Sequence, residues 1–306
     1  NPRHIAGPSE AEHFLPERVK RYAFIEKHEN EHTVIMLCEM MNIRRSSFYA
    51  WKKKDIGKRI VEDKELKSKI VPVFEESHQT YGARRLQCRL KNDGFRICRR
   101  RVRRLMKEEG LVAKQSRKWH PPTTVANPKH EKADNLLEQD FHAEAPNQKW
   151  VTDITYIPTK EGWLYLAAIL DLHSRIIVGW SMKNTLKKEL VIDAWNMACK
   201  NRKPPKQILH HSDLGSQYTS KEYLNLLREH KCRISMSGKG NCYDNACMES
   251  FFATLKAECA DRTFETRREA KTALFDYIEI WYNRKRLHST LGYLSPLEFE
   301  MRGTGV

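Results

Sequence analysis

Residues 150–159 read WVTDITYIPT, and the chain's fold turns on how that stretch and its neighbours are read. Apolar and β-branched residues alternate along it with period two, as in a strand packed on one side. GWLYLAAILDL (162–172) is a second strand and RIIVGWSM (175–182) a third, with Ser174-Arg175 at the turn between them. Leu186–Asn201 follows as an amphipathic helix, and QILHHSD (207–213) as a fourth strand ending at Asp213. Ser220–His230 is helical, RISMS (233–237) is a short fifth strand, and Tyr243–Cys259 and Arg267–Arg286 are helices. A meander of three strands followed by alternating helix and strand predicts an α/β domain, a mixed five-stranded sheet with helices on its faces.

Asp153 sits inside the first strand, between Thr152 and Ile154. Aspartate is a poor strand former and is costly to bury without a partner, so one in that position has a function. Asp213 lies where the fourth strand ends, the edge at which α/β sheets bind ligands. A sheet of this order sets the first and fourth strands side by side, so the two carboxylates face each other. Glu249 lies on the helix YDNACMESFFATLKAE, where Met248, Phe251 and Leu255 point to the core. Asn245, Glu249, Phe252 and Lys256 share the adjacent stripe, which lays Glu249 against the sheet edge and leaves Lys256 for DNA. Three converging carboxylates repel unless a cation neutralises them. Mg²⁺ suits an all-oxygen donor set. Two ions per site would stabilise both the attacking and the leaving oxygen of an in-line phosphoryl displacement. Asp153, Asp213 and Glu249 are therefore the expected catalytic and metal residues. Asp171 and Asp244 are rival ligands. Asp171, at the end of the second strand, reads better as a cap on the turn to Ser174, and Asp244 falls in the first helical turn, where an acid helps the dipole. One of His210 and His211 faces the site, or both are strand-end histidines satisfied locally. Trp150 and Tyr156 read as core aromatics, and Gly238 and Gly240 as parts of a loop before the helix carrying Glu249.

Upstream, the chain is helical and basic. TVIMLCEMMNIRRSSFYAW (33–51) has a helix, a turn at Asn42-Ile43, and a second helix opened by Arg44 and Arg45. That is the layout of a helix-turn-helix, with a plain helical hairpin as the alternative. Between Tyr81 and His120 there are fourteen Lys and Arg against three Asp and Glu. Like charges four residues apart on a helix repel, so such a cluster points to phosphate rather than to a solvated face. Arg84, Arg85, Arg99, Arg100, Arg101, Arg103 and Arg104 are the expected DNA contacts there. Asn283, Arg284 and Arg286 extend the expectation to a basic tail on the last helix. The domains divide as a 1–30 extension without a motif, a 31–60 helix-turn-helix, a 61–113 basic helical unit, a 114–148 linker rich in proline, and a 149–306 catalytic domain.

The net charge is +16, which favours a polyanionic partner. No apolar run is long enough to span a membrane and the first ten residues carry no signal-peptide core. Eight cysteines without a C-x-x-C pair argue against a zinc ribbon or finger and for reduced, packed thiols. His28 and His32, at metal-like spacing, read as surface residues.

At WVTDITYIPT, HSDLGSQY (211–218), SMSGKGNCYDNACMESFFATLK (235–256) and YNRKRLHSTLGYLSP (282–296) the sequence closely resembles the transposases of the IS-three family of bacterial insertion sequences. YGARRL (81–86) and VRRLMKEEGLV (102–112) resemble that family's helical DNA-binding region, and the likeness runs over roughly residues 33–300. The 35 residues between Asp213 and Glu249 match the family's DD(35)E spacing, and Lys256 falls where the family carries a basic residue. The resemblance implies a ribonuclease-H-like, integrase-type catalytic core and Mg²⁺- or Mn²⁺-dependent cleavage at transposon ends, followed by strand transfer from the exposed 3′-hydroxyl. It implies double-stranded DNA as partner, both terminal inverted repeats and target, and a homo-oligomer bridging two ends. It also implies a downstream reading-frame product, partnered with an upstream one or fused to it, working in the bacterial cytoplasm at the nucleoid. The alternatives are a DNA-binding regulator with an inactive core, which complete acids at the right spacing oppose, and another ribonuclease-H-like nuclease or integrase. A retroviral type is opposed by the missing H-H-C-C zinc module.

Overall fold

The computed structural model describes residues 17–53, 56–114, 133–238 and 242–303. Gly240, the first part of the extension and most of the proline-rich stretch lie outside the described residues. The chain forms two compact units, Asn1–Lys69 and Ile70–Val306.

The first unit contains α1 (Glu17–His28), α2 (Val34–Met40) and α3 (Arg45–Lys53). Thr33 caps α2, its side chain accepting the Met36 amide. Asn42 adopts the left-handed conformation in the turn between α2 and α3. Tyr22 and Ile25 of α1 are buried against Leu37, Cys38 and Phe48, and the Tyr22 ring stacks on Trp51. The segment read as an extension without a motif therefore includes the helix that closes this small core. Its apolar residues, Val19 and the run at 22–25, form no repeating stripe among the flanking charges, so the sequence alone does not mark them as core. Arg44 and Arg45 are exposed at the start of α3. The next helix, α4 (Ile56–Glu76), runs on into the second unit.

In the second unit α5 (Ala83–Asn92) and α6 (Arg99–Glu108) pack through Leu86, Leu90, Val102, Leu105 and Met106. The sheet comprises β1 (Lys149–Thr159), β2 (Gly162–Asp171), β3 (Ile177–Lys183), β4 (Leu209–Ser212) and β5 (Arg233–Met236), in the order β3-β2-β1-β4-β5. β1–β2 and β2–β3 are antiparallel, and β1–β4 and β4–β5 are parallel. α7 (Lys188–Arg202) and α8 (Lys221–Glu229) supply Leu190, Ala194, Trp195, Tyr223 and Leu227 to a core shared with Trp150, Ile169 and Val178. α9 (Ala246–Glu258), preceded by a 3₁₀ turn at Cys242–Asn245, packs against β1, as does α10 (Arg267–Phe275).

Two expectations change. Arg267–Arg286 is not one α-helix: after α10, residues Asp276–Tyr282 wind as a π-helix before the chain reaches α11 (Pro296–Gly303). The wider turn directs Tyr277, Ile278, Trp281 and Tyr282 inward together. Residues 133–148, read as linker, are tied to the sheet: Met236 donates its amide to the Asp134 carbonyl, and the Ser235 hydroxyl accepts the amides of Leu136 and Leu137. Backbone hydrogen bonds, invisible to apolar periodicity, hold this segment.

Candidate active site

Strand β1 alternates its side chains between two faces. Trp150 and Ile154 enter the core beneath α7, and the Thr152 hydroxyl lies 3.2 Å from Tyr218 Oη on that side. Asp153 therefore points to the opposite face, the one α9 covers. The parallel pairing Lys149↔Leu209, Trp150↔His210, Val151↔His211 has a constant offset. Carried two residues further, it sets Asp213 level with Asp153, just past the end of β4. Asp153 Oδ1 accepts the Ile154 amide at 2.7 Å, and Asp213 Oδ1 accepts the Gly215 amide at 2.9 Å. A Cβ on Gly215 would lie 2.9 Å from that same Asp213 oxygen, so the loop after β4 needs glycine there to leave the carboxylate in place. Burial, the charge of Asp213 and that of Glu249 hold the Asp153 carboxyl well above the usual carboxylate range, against the pull of the Ile154 amide and Lys256.

Glu249 is exposed in the first turn of α9, near enough for its charge to reach Asp153. Among the described residues no three His, Cys, Asp or Glu side chains are drawn together as a metal-holding group. The structure thus sets two of the three acids side by side and leaves Glu249 at the rim. Lys256 is half-buried; burial lowers its pKa and Asp153 raises it. It sits beside the acids rather than out on an open surface.

The start of α9 is fixed by a residue that the sequence offers only as a member of the Glu249 stripe. Asn245 is buried, and its Nδ2 donates to the Thr152 carbonyl at 3.0 Å, one residue before Asp153. Its Oδ1 is buried without a hydrogen-bond partner. Asp244 is also buried, and its carboxylate accepts Asn135 Nδ2 at 2.9 Å, Gln139 Nε2 at 3.2 Å and the Gly238 amide at 3.2 Å. It clamps the approach to α9 rather than facing the two aspartates. Asp171 is fully buried and accepts the Asn147 and His173 amides, a turn cap with Arg202 3.8 Å away.

Neither strand-end histidine faces the acids. His210 Nε2 is 2.7 Å from Tyr223 Oη, and His211 bridges the Ser235 and Ser237 hydroxyls at 2.8 and 3.1 Å. Burial keeps both neutral, lowering them to about 3 and about 4. The expected basic tail is also corrected. Asn283 is buried, bonding the Ile177 amide and carbonyl through its side chain. Arg286 is 5% exposed and pairs with the buried Glu258 at 2.8 Å. Only Arg284 of the three is exposed. An Asn and an Arg on a helix end carry no sequence mark that tells a core role from a surface one; here the third strand's edge and a buried acid claim them.

The integrase core domain family model matches residues 143–242, and a second of the same description matches 249–302. The HTH-like domain model matches residues 61–119. The transposase InsF for insertion sequence IS3A of Escherichia coli (strain K12) is 44% identical over 283 residues, 92% of this chain and 98% of that protein. The chain belongs to the IS3 family of transposases. An insertion element IS600 uncharacterized 31 kDa protein of Shigella sonnei is likewise 44% identical to it, over 86% of this chain and 97% of that one. Among solved structures, a chain of a simian T-cell lymphotropic virus intasome aligns with TM-score 0.44 and 16% identity over 70% of each chain. The BIV integrase catalytic core aligns with TM-score 0.39 and 18% identity over 52% of this chain and 97% of that one. In this IS3-family transposase no helix among the described residues is long and apolar enough to cross a membrane.

Proposed function

We propose that the chain cleaves DNA at the ends of an insertion sequence and joins the resulting 3′-hydroxyl to a second site, using Asp153, Asp213 and Glu249. The observation that carries this reading is the level pair Asp153 and Asp213; burial, and after it the neighbouring Asp213 charge, keeps Asp153 above the usual carboxylate range. Two carboxylates crowded on neighbouring strands, with a third on the covering helix, make a donor set of hard oxygens that a divalent cation would relieve. Asp153, Asp213 and Glu249 would hold Mg²⁺ or Mn²⁺, two ions per site, with Glu249 moving in from the rim. Divalent ions so bound supply Lewis-acid stabilisation of the phosphoryl oxygens in the transition state.

The chain's own groups do the rest. The Ile154 and Gly215 amides fix one oxygen of each aspartate, which leaves less freedom to lose when substrate arrives. Asn245 anchors the first turn of α9 to β1, setting where Glu249 starts. Lys256 brings a cation beside the acids, suited to a DNA phosphate entering the site. The exposed arginines of α3, α5 and α6 supply backbone contacts to double-stranded DNA, and joining two ends calls for more than one copy of the chain.

The test uses DNA carrying the element ends that flank the reading frame, incubated with purified protein with and without Mg²⁺, the 3′ ends being mapped on a sequencing gel. Asp153→Asn, Asp213→Asn and Glu249→Gln should each abolish cleavage and joining while DNA binding survives. Joining at a normal rate by Asp153→Asn would overturn the assignment.

A further inference from the structure

A cavity of about 720 Å³ opens between α5, α6 and the turn at 289–293, away from the two aspartates. Its charged lining residues are Arg84, Arg85, Arg99, Arg103 and Lys107; no acid lines it. The acids of these helices pair elsewhere, Asp93 with Arg89 and Glu108 with Arg104. Among the described residues none of the five lining cations has an ion-pair partner. Five like charges around one hollow repel, and folding gains nothing by gathering them.

Their placement along the helices is also unfavourable. Arg84 and Arg85 stand in the first turn of α5, and Arg99 opens α6; neither first turn holds an acid. Cations at a helix N-terminus oppose the macrodipole. The start of α5 is not capped by a side chain: Gly82 at its head makes no capping hydrogen bond. Beyond Gly82 the space where a side chain would begin is empty to 4 Å. Uncapped amides, adverse charges and open space meet on one cavity wall, and a bound anion would relieve all three conditions.

The opposite wall comes from the far end of the chain. Gly292 and Tyr293 are both left-handed, at φ 65° and 63°, and a tyrosine holds that conformation only at a cost in strain. The strained turn sets the Tyr293 ring 5.9 Å below the Arg84 guanidinium and brings Ser289 to the cavity. Tyr293 orients an arginine that has no carboxylate to orient it.

We propose that this cavity is a composite phosphodiester clamp, in which α5, α6 and the 289–293 turn grip one stretch of DNA backbone together. The proposal rests on the reading of the chain as a DNA-cleaving transposase, and it adds that the catalytic domain's C-terminal segment is part of the DNA-binding surface. Binding here carries no base information and is governed by counter-ion release.

The experiment measures binding of the full chain to a labelled duplex by fluorescence anisotropy, in chelator, across a salt series. Arg99→Ala combined with Arg103→Ala should reduce the slope of log affinity against log salt by about 0.9 for each phosphate that the protein no longer neutralises. Lys206→Ala, which removes an exposed charge elsewhere, should leave the slope unchanged. Tyr293→Ala should weaken binding severalfold and Tyr293→Phe should restore it, since the ring and not the hydroxyl backs Arg84. An unchanged slope in the arginine variant, or wild-type affinity in Tyr293→Ala with the fold intact by circular dichroism, overturns the clamp. So does competition by millimolar inorganic phosphate that depends on these arginines while duplex affinity does not, which would make the cavity a free-anion site. The chelator keeps divalent ions out of the assay, so a failed clamp and a failed cleavage reaction are separate outcomes.

Discussion

Asn245 Nδ2 donates to the main-chain carbonyl of Thr152 across 3.0 Å, tying the residue ahead of α9 to the residue ahead of Asp153. Two of the three elements that carry the candidate acids, β1 and α9, thus share a direct hydrogen bond four residues from Glu249. Asn245→Ala removes it and leaves a buried carbonyl unpaired, at about 1–3 kcal/mol. We expect a modest fall in melting temperature, a loss of cleavage well beyond that fall, and DNA affinity within twofold of wild type. The half-saturating Mg²⁺ concentration for thermal stabilisation should rise. Unchanged metal dependence would limit Asn245 to a purely structural role.

Asp153→Asn should raise the melting temperature of the metal-free protein at neutral pH. A carboxyl whose pKa is raised in the folded state opposes folding when ionised. That penalty is absent below the ordinary carboxylate pKa and grows as pH climbs toward the raised value. The gain in the variant should therefore shrink as pH falls toward 4. Mg²⁺ should stabilise the wild type and not the variant. Calorimetry across pH, with and without metal, checks both signs.

Gly215→Ala places a methyl 2.9 Å from Asp213 Oδ1 and 3.1 Å from Gln217 Oε1. The fold can absorb this by moving the Asp213 side chain. We expect little loss of stability, DNA binding intact, and cleavage reduced by at least tenfold, comparable to about 1.4 kcal/mol of misplacement. A fully active Gly215→Ala would show that the Asp213 carboxylate need not stay where the loop holds it.

His210 and His211 set an acid limit on stability. Both are buried and neutral, with pKa values lowered to about 3 and about 4 from 6.5. The unfolded chain takes up protons below pH 6.5 that the fold refuses, so stability drops as pH falls from 6.5 toward 4. Each group contributes up to about 1.4 kcal/mol per pH unit in that window. Urea midpoints between about pH 7 and 4.5 measure the slope, and His210→Gln should flatten it.

Glu258 accepts from Arg286 Nε, Tyr277 Oη and Trp281 Nε1, and Thr80 reaches it at 3.2 Å. Glu258→Ala strands a buried guanidinium, and we expect a loss of about 3–5 kcal/mol. Arg286→Lys should not rescue geometry that depends on a planar fork. Chemical denaturation measures both. A loss under about 1 kcal/mol for Glu258→Ala would mean that water enters to solvate Arg286.

The sheet is legible in the sequence because β1 and β2 are long, apolar and joined by a clear turn, and because the short β4 and β5 alternate with helices; Asp153 stands out as a charge inside a long strand. Asp213 is legible from its place at a strand end, and Glu249 from helical spacing and family likeness. Asn283 and Arg286 mislead because a surface and a buried arginine look alike until the opposing acid, Glu258, is placed in space. Tyr22 and Ile25 escape notice because three short helices share one core and none carries a strong stripe alone. Asn245 can be placed beside Glu249 by periodicity, but its bond to Thr152 joins residues 93 apart.

The Glu258 cluster also bears on how this chain can be recombined with its relatives. Thr80 bonds Glu258, the Tyr81 hydroxyl accepts the Leu287 amide, and Glu76 meets Lys285. A chimera joined in the stretch between the helical segment and β1 would exchange one side of these contacts and keep the other. Swaps should succeed only when residues 76–81 travel with residues 258–287, so the unit of exchange is interleaved in sequence and contiguous in space.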